Sequence, residues 1–270
     1  MKTIWPLALL TFKDGLRYRI LYGILVFAFF LMFFALLISG LFMRDILKII
    51  LDICLSAVSL GGLLIPIFLS INLLSGDIEH KTIYTILARP ISRTQYILGK
   101  FLGLVLLTSS VMIILTGATM LTVWGATFTF APHFLSTLSV GSILISCFTA
   151  LLGVLVLQST VFLWSSVTTS SFLATLLTLA TYLIGQTVED IVRFMSLKGT
   201  GAQISPGIQK TVHAVMYVFP NLAAFDLKKY AAYGIDIPAA EVEMLMLYSI
   251  TYVSVALILA VLVFQKRDLA

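Results

Sequence analysis

Long apolar stretches without charged residues, separated by short charged segments, dominate the hydrophobic pattern of this chain. The first two, 20–43 and 53–76, are each closed by a charged residue at both ends. A helix that crosses a hydrocarbon core about 30 Å thick needs about 20 apolar residues. Each stretch is therefore predicted to cross a membrane once.

The middle of the chain is long enough for several spans. Residues 101–187 include no Asp, Glu, Lys or Arg, and two polar breaks divide them, at 125–136 and 165–171. Three spans fit into this block, and one more follows near the C-terminus. The six predicted spans lie at about 20–43, 53–76, 92–124, 137–164, 171–188 and 244–264.

The composition supports this interpretation. Hydrophobic residues make up 60% of the 270 residues and charged residues 11%, whereas a soluble domain carries about a quarter charged residues. The chain has too few charged side chains to cover a surface exposed to water. We predict an all-α integral membrane protein with six transmembrane helices, and a single domain, 1–270, because no long polar linker separates a second one.

The segment before the first span is amphipathic. Residues 3–19 are predicted to form a helix that lies in the membrane interface, with Lys13 and Arg17 on its polar face. The apolar stripe of this helix contains Trp5, Leu9, Phe12, Leu16 and Ile20. The alternative is that the first span simply begins earlier.

The distribution of Lys and Arg predicts the orientation. These residues precede the first span, lie between the second and third, and follow the sixth, whereas the 125–136 loop has none and 189–243 mixes both signs. By the positive-inside rule, both termini of this multi-pass protein are predicted to be cytosolic, and we expect the protein in the inner membrane. The net charge of +5 then reflects orientation. A nucleic-acid partner is not expected, because it would need a basic soluble face.

The cytosolic segment 77–100 has signals for a short helix of its own. Residues 75–77 combine a helix-ending signal with an N-cap signal, and Pro90 predicts a turn. Ser92 and Gln95 then form a capping box at the start of the third span. We predict a short, braced cytosolic helix. A solvated loop is the alternative, and it explains the charges but not the capping signals.

The other large segment outside the spans, 189–243, alternates turn signals with short apolar stretches. We predict a small external helical segment that packs on the outer end of the spans, because its apolar content favours packing over the alternative, a mobile loop. It could also bind an accessory external protein.

Sites for catalysis or metal binding are not evident in the sequence. The histidines are scattered, Cys54 and Cys147 fall within spans, and no phosphate-binding loop is present. An external enzyme site using Glu189, Asp190 and His213 is disfavoured, because their spacing fits neither a triad nor a metal site. We expect no catalytic residue, metal or cofactor in this chain, so that any energy input must come from another chain.

The spans contain polar residues but no ionisable ones at mid-membrane, which disfavours a proton-coupled carrier. A substrate path could use the following polar residues of the spans: Asn72, Gln158, Thr175, Thr178, Tyr182 and Gln186. The commoner role of Ser and Thr in such helices is close helix packing. The cargo is expected to be lipid-like or amphipathic rather than a small inorganic ion, since the spans are uncharged.

Three short motifs follow one another in and around segment 77–100: Glu79-His80-Lys81-Thr82, Arg89-Pro90-Ile91-Ser92-Arg93 and Gly99-Lys100. In this order they resemble the permease subunits of ABC-2-type transporters. Agreement at 13–17, 219–226 and 264–268 extends the resemblance over the whole length. Within that family, the chain most resembles the subgroup that includes the permease of the nitrous-oxide-reductase maturation transporter.

This resemblance implies a transport subunit that is not itself an enzyme. It would form a homodimer or pair with a second permease, and two separate ATPase subunits would bind ATP and Mg and drive transport, with export as the expected direction. The implied ATPase-coupling residues are Glu79, His80, Lys81, Thr82, Arg89, Pro90, Ser92, Arg93 and Lys100. A non-transporting membrane scaffold or assembly factor that anchors a cytosolic partner is the alternative.

Overall fold

A computed structural model describes residues 4–40, 46–72, 91–129, 139–196 and 218–266. Within these ranges the chain forms helices and turns and no strand. The helical elements are α1 (Ile4–Arg17), α2 (Arg19–Ser39), α3 (Ile46–Leu64), a π-helical segment (Ile65–Ser70), α4 (Arg93–Thr129), α5 (Val140–Val167), α6 (Ser171–Ser196), a 3-10 turn (Ala223–Phe225), α7 (Lys228–Tyr233) and α8 (Ala239–Lys266).

Six of the described helices are long and apolar enough to cross a membrane: α2, α3 with its π-helical segment, α4, α5, α6 and α8. The prediction of an all-α protein with six candidate membrane spans is therefore confirmed.

Several helices extend beyond the predicted spans. Helix α3 begins at Ile46 rather than at 53, α6 continues to Ser196 rather than 188, and α8 begins at Ala239 rather than 244. The added turns contain charged residues such as Lys48 and Glu241. Lys and Glu are good helix formers, so a charge ends an apolar stretch without ending the helix.

Helix α5 lies at the centre of the bundle, where it packs against α3, α4, α6 and α8. Buried hydroxyl-bearing residues of α5, such as Ser159 and Thr160, are small enough to allow these close contacts. By contrast, α2 and α8 expose long apolar faces. These helices form the outer surface that a bilayer would cover.

Helix α1 is separate from α2, because Tyr18 adopts an extended conformation between them. One face of α1, with Leu7, Ala8 and Thr11, is buried against α4. Trp5 lies on another face and is 59% exposed. The predicted apolar stripe is thus a second apolar face, and the sequence pattern did not reveal the one that contacts the protein.

The bundle has two distinct ends. The α1 end contains α1, the start of α4 and the C-terminus of α8. The opposite end contains the 3-10 turn and α7, which pack on the first half of α5: Ser146 donates a hydrogen bond to the carbonyl of Leu227 (3.0 Å). Gly234 ends α7 in the left-handed region, at φ 65°, which glycine adopts without steric cost.

Candidate functional site

The short cytosolic helix predicted before Pro90 falls outside the described residues, as do six of the nine implied ATPase-coupling positions: Glu79, His80, Lys81, Thr82, Arg89 and Pro90. The remaining three, Ser92, Arg93 and Lys100, lie at the start of α4. They belong to a structural unit that we call the α1–α4–α8 junction, formed by α1, residues 92–107 and the last turn of α8.

Ser92 and Gln95 start α4 with a reciprocal pair of hydrogen bonds. The backbone N–H of Gln95 donates to Ser92 Oγ (3.2 Å), and the backbone N–H of Ser92 donates to Gln95 Oε1 (3.3 Å). This is the predicted capping box, which is therefore confirmed. It fixes the first turn of α4 immediately after the segment implied to contact a partner.

Arg93 joins α4 to the end of α8. Its Nη1 donates to the carbonyl oxygens of Phe264 (3.2 Å) and Gln265 (3.0 Å), and Gln265 Nε2 donates to Thr94 Oγ1 (3.0 Å). The last carbonyls of a helix lack partners within the helix and carry partial negative charge, which a guanidinium neutralises. Arg93 thus caps α8, a role that the sequence did not indicate.

Buried side chains extend the contact beneath this cap. Tyr96 is fully buried, and its ring stacks on that of Phe264 with centroids 6.2 Å apart. Lys100 is 5% exposed, with Nζ 5.8 Å from the centroid of Tyr96. At this position Lys100 is part of the packed junction rather than an exposed basic side chain.

Two glycines of α4 allow α1 to approach closely. A Cβ atom on Gly99 would lie 2.7 Å from Leu7 Cδ2, and one on Gly103 would collide with the carbonyl oxygen of Ala8. A backbone atom cannot move aside as a flexible side chain can. The α1–α4 contact therefore depends on glycine at these positions, as in other closely packed membrane helices.

The residues predicted for a substrate path do not all come together. Thr175 and Thr178 donate to the carbonyls of Ser171 and Ala174, each at 2.8 Å, in their own helix. Asn72 is exposed, and its side-chain amide donates to the carbonyl of Phe68. For the two threonines, this geometry agrees with the packing alternative.

Gln158 is completely buried between α4 and α5. Its Oε1 accepts a hydrogen bond from Thr108 Oγ1 (2.9 Å), whereas its Nε2 has no partner among the described residues. It does not line a described cavity, so its contribution is a polar contact between two helices.

Tyr182 and Gln186 do lie together, in the wall of a cavity of about 290 Å³ towards the opposite end of the bundle. It is lined by helices α3, α5 and α6 and by the segment 222–228 around the 3-10 turn, and it is partly open to the surroundings. Its wall also includes Ser56, Ser59, Leu157, Phe225, Asp226 and Lys228. No sequence pattern indicated this second group, because its members come from three separate segments that only the fold brings together.

Close contacts hold the 3-10 turn over this cavity. The backbone N–H of Leu222 donates to the carbonyl of Gly185 (3.0 Å). A Cβ on Gly153 would lie 3.0 Å from that of Phe225. The turn is therefore seated on α5 and α6 through two glycines.

The groups considered for an external enzyme site do not form one in the described residues. Glu189 accepts a hydrogen bond from Asn221 Nδ2 (3.2 Å), Asp190 is exposed, and His213 lies outside the described ranges. No group of three or more His, Cys, Asp and Glu residues suited to a metal occurs in that part of the chain.

Comparison with known proteins identifies the family of this chain. No curated protein matches the chain. The sequence profile of the family described as ABC-2 family transporter protein matches residues 5–269, which is nearly the whole chain. With its six candidate membrane spans, the chain therefore belongs to the ABC-2 transporter family, as its motifs had suggested.

Proposed function

We propose that this chain is the permease subunit of an ABC transporter and moves its cargo by coupling to ATP hydrolysis in a separate ATPase subunit. The observation that carries this proposal is the match to the ABC-2 family over residues 5–269. The sequence contains no phosphate-binding loop. ATP and Mg would accordingly be bound by the partner.

The α1 end is the proposed cytosolic, ATPase-facing end, which gives cytosolic termini in an inner-membrane protein. Two permease subunits, identical or paired with a second chain, would act with two ATPases. We further propose that the direction of transport is export and that an accessory protein binds at the opposite end. We also propose that the chain belongs to the subgroup of the nitrous-oxide-reductase maturation permease.

The proposed coupling contact uses the motif residues from Glu79 to Pro90 together with Ser92. The junction supports this assignment, because α4 starts in a fixed cap directly after this segment. Force on the segment would move α1, α4 and the end of α8 together. In this proposal Arg93 and Lys100 are positioning residues within the moving unit rather than contacts to the ATPase.

The experiment is co-isolation of the affinity-tagged chain with separately encoded ABC ATPases expressed alongside it, followed by measurement of ATP hydrolysis. We expect a stable complex whose hydrolysis rate changes when the permease is present. A Glu79→Ala variant should still insert and lose this effect. Failure of every such ATPase to co-isolate would overturn the proposal, and a stable complex indifferent to nucleotide would favour a scaffold instead.

A further inference from the structure

We propose that the cavity between α3, α5, α6 and the 3-10 turn binds a net-uncharged amphipathic molecule, zwitterionic or hydrogen-bonding at its polar end. As a statement about cargo, this inference rests on the proposed function. As a statement about binding, it can be tested on the isolated chain.

The first argument is the state of the polar groups in the cavity wall. Hydroxyl groups elsewhere in the long helices commonly donate to a carbonyl one turn earlier, as Thr119 does to Leu115 (3.0 Å). Four polar side chains of the wall make no hydrogen bond with any described residue: Ser56, Ser59, Tyr182 and Gln186. Since a polar group in an apolar surrounding is stabilised by a partner, these four groups are available to an occupant.

The second argument is the apolar remainder of the wall. Leu60 and Leu63 of α3, Leu157 of α5 and Phe225 of the 3-10 turn line the same space as the polar groups. At about 290 Å³ the cavity is near the lower bound of ligand pockets, which are mainly apolar with a few placed polar groups. An occupant with an apolar chain and a polar end matches both parts.

The third argument is charge. Lys228 Nζ lies 3.1 Å from Asp226 Oδ2, and each side chain is about one-third exposed, at 29% and 34%. Tyr182 lines the same cavity as both members of the pair. The pair is locally neutral, so an ion entering beside the apolar wall would bring an unbalanced charge. A zwitterion can instead place its cation near Asp226 and its anion near Lys228.

The test uses a lysophosphatidylcholine with a photoreactive diazirine in its acyl chain, applied to the purified chain in detergent. Mass spectrometry then locates the labelled residues. We expect saturable labelling at Leu60, Leu63 and Leu157, reduced at least fivefold by excess unlabelled lysophosphatidylcholine and clearly less by anionic lysophosphatidylglycerol. Non-saturable labelling that is equal on the outer face of α2, at Phe29 and Phe33, or equal competition by both lipids, would overturn the proposal.

Variants test the polar groups separately from folding. The double variant Tyr182→Phe with Gln186→Leu should weaken competition by unlabelled lysophosphatidylcholine about 10-fold, since two hydrogen bonds are lost. The matched control is Tyr22→Phe with Thr187→Val, because Tyr22 is exposed on α2 and Thr187 is exposed beside Gln186 on α6. Equal affinity in both double variants would count against the proposal.

A cavity-filling variant gives an independent readout. Ser59→Phe should abolish the saturable labelling even if the hydrogen bonds prove individually weak, and saturable labelling that survives it would place the lipid elsewhere. Failure of all labelling in a chain that still co-isolates with an ATPase overturns only this inference. Saturable labelling in a chain that captures no ATPase would support the binding site and overturn only the proposed function.

Discussion

The α1–α4–α8 junction and the cavity near the opposite end use polar residues in opposite ways. In the junction, Ser92, Arg93 and Gln265 all form hydrogen bonds within the chain. In the cavity wall, Ser56 and Gln186 form none with the described residues. A region that transmits force requires fixed contacts, whereas one that binds a ligand must keep some groups unpaired until the ligand arrives. The difference is consistent with the proposals of mechanical coupling in the junction and ligand binding in the cavity.

The largest expected effect is a loss of stability in the junction, at Gly103. The variant Gly103→Leu should destabilise the protein by about 3 kcal/mol, because overpacking is costly and the first obstacle is the backbone of Ala8. Thermal unfolding in detergent and hydrogen exchange of α1 would measure this effect. Gly117→Leu is the matched control, since nothing lies within 4 Å of a Cβ there. Similar unfolding of both variants would contradict a tight α1–α4 contact.

Thr108→Val examines a buried polar contact that lies outside both regions. The change keeps the shape and removes the donor to Gln158 Oε1, so that a fully buried amide loses its described partner. We expect a loss of about 1–3 kcal/mol in the free energy of unfolding.

The control for that variant is Thr119→Val, in the same helix and equally buried. Among the described residues, the hydroxyl of Thr119 bonds only to the carbonyl of Leu115 in its own helix. Such a bond adds little to helix stability, so the expected effect is about 0.5 kcal/mol or less. Equal losses at both positions would argue against a specific role for the Thr108–Gln158 contact.

Arg93→Met addresses the link between α4 and α8. Removing two charge-assisted hydrogen bonds to the last carbonyls of α8 should cost about 1–2 kcal/mol, since the site is only partly buried. In a complex with the ATPase, we expect hydrolysis to continue while transport falls. Arg17→Met, at an exposed position of α1, should change neither quantity, and parallel losses of hydrolysis and transport in Arg93→Met would contradict a positioning role.

The smallest effect is expected at the cavity. Tyr182→Phe should alter the free energy of unfolding by less than about 0.5 kcal/mol, because its hydroxyl has no hydrogen bond to lose among the described residues. Thermal unfolding without added lipid would measure this. A loss above about 1 kcal/mol would mean that the hydroxyl stabilises the fold, and the contrast between the two regions would disappear.

Features that depend on neighbouring residues in the sequence could be predicted. The capping box of Ser92 and Gln95 joins positions three residues apart, and local hydrogen bonds of this kind follow from the residue types alone. The cap of α8 by Arg93 could not be predicted, because its acceptors lie more than 170 residues away. Tyr182 and Gln186 could be predicted together because they lie one turn apart on one helix. Ser56, Asp226 and Lys228 could not, because they come from other segments.

The sequence by itself determined the six candidate spans and the helical class, because hydrophobic length is a property of each segment taken separately. It also carried the motifs of the ABC-2 family. Only the tertiary structure decided which polar groups are paired. Thr178 satisfies its hydroxyl within its own helix, whereas Tyr182, one turn later on α6, faces a cavity that exists only when α3, α5 and the 3-10 turn pack against it.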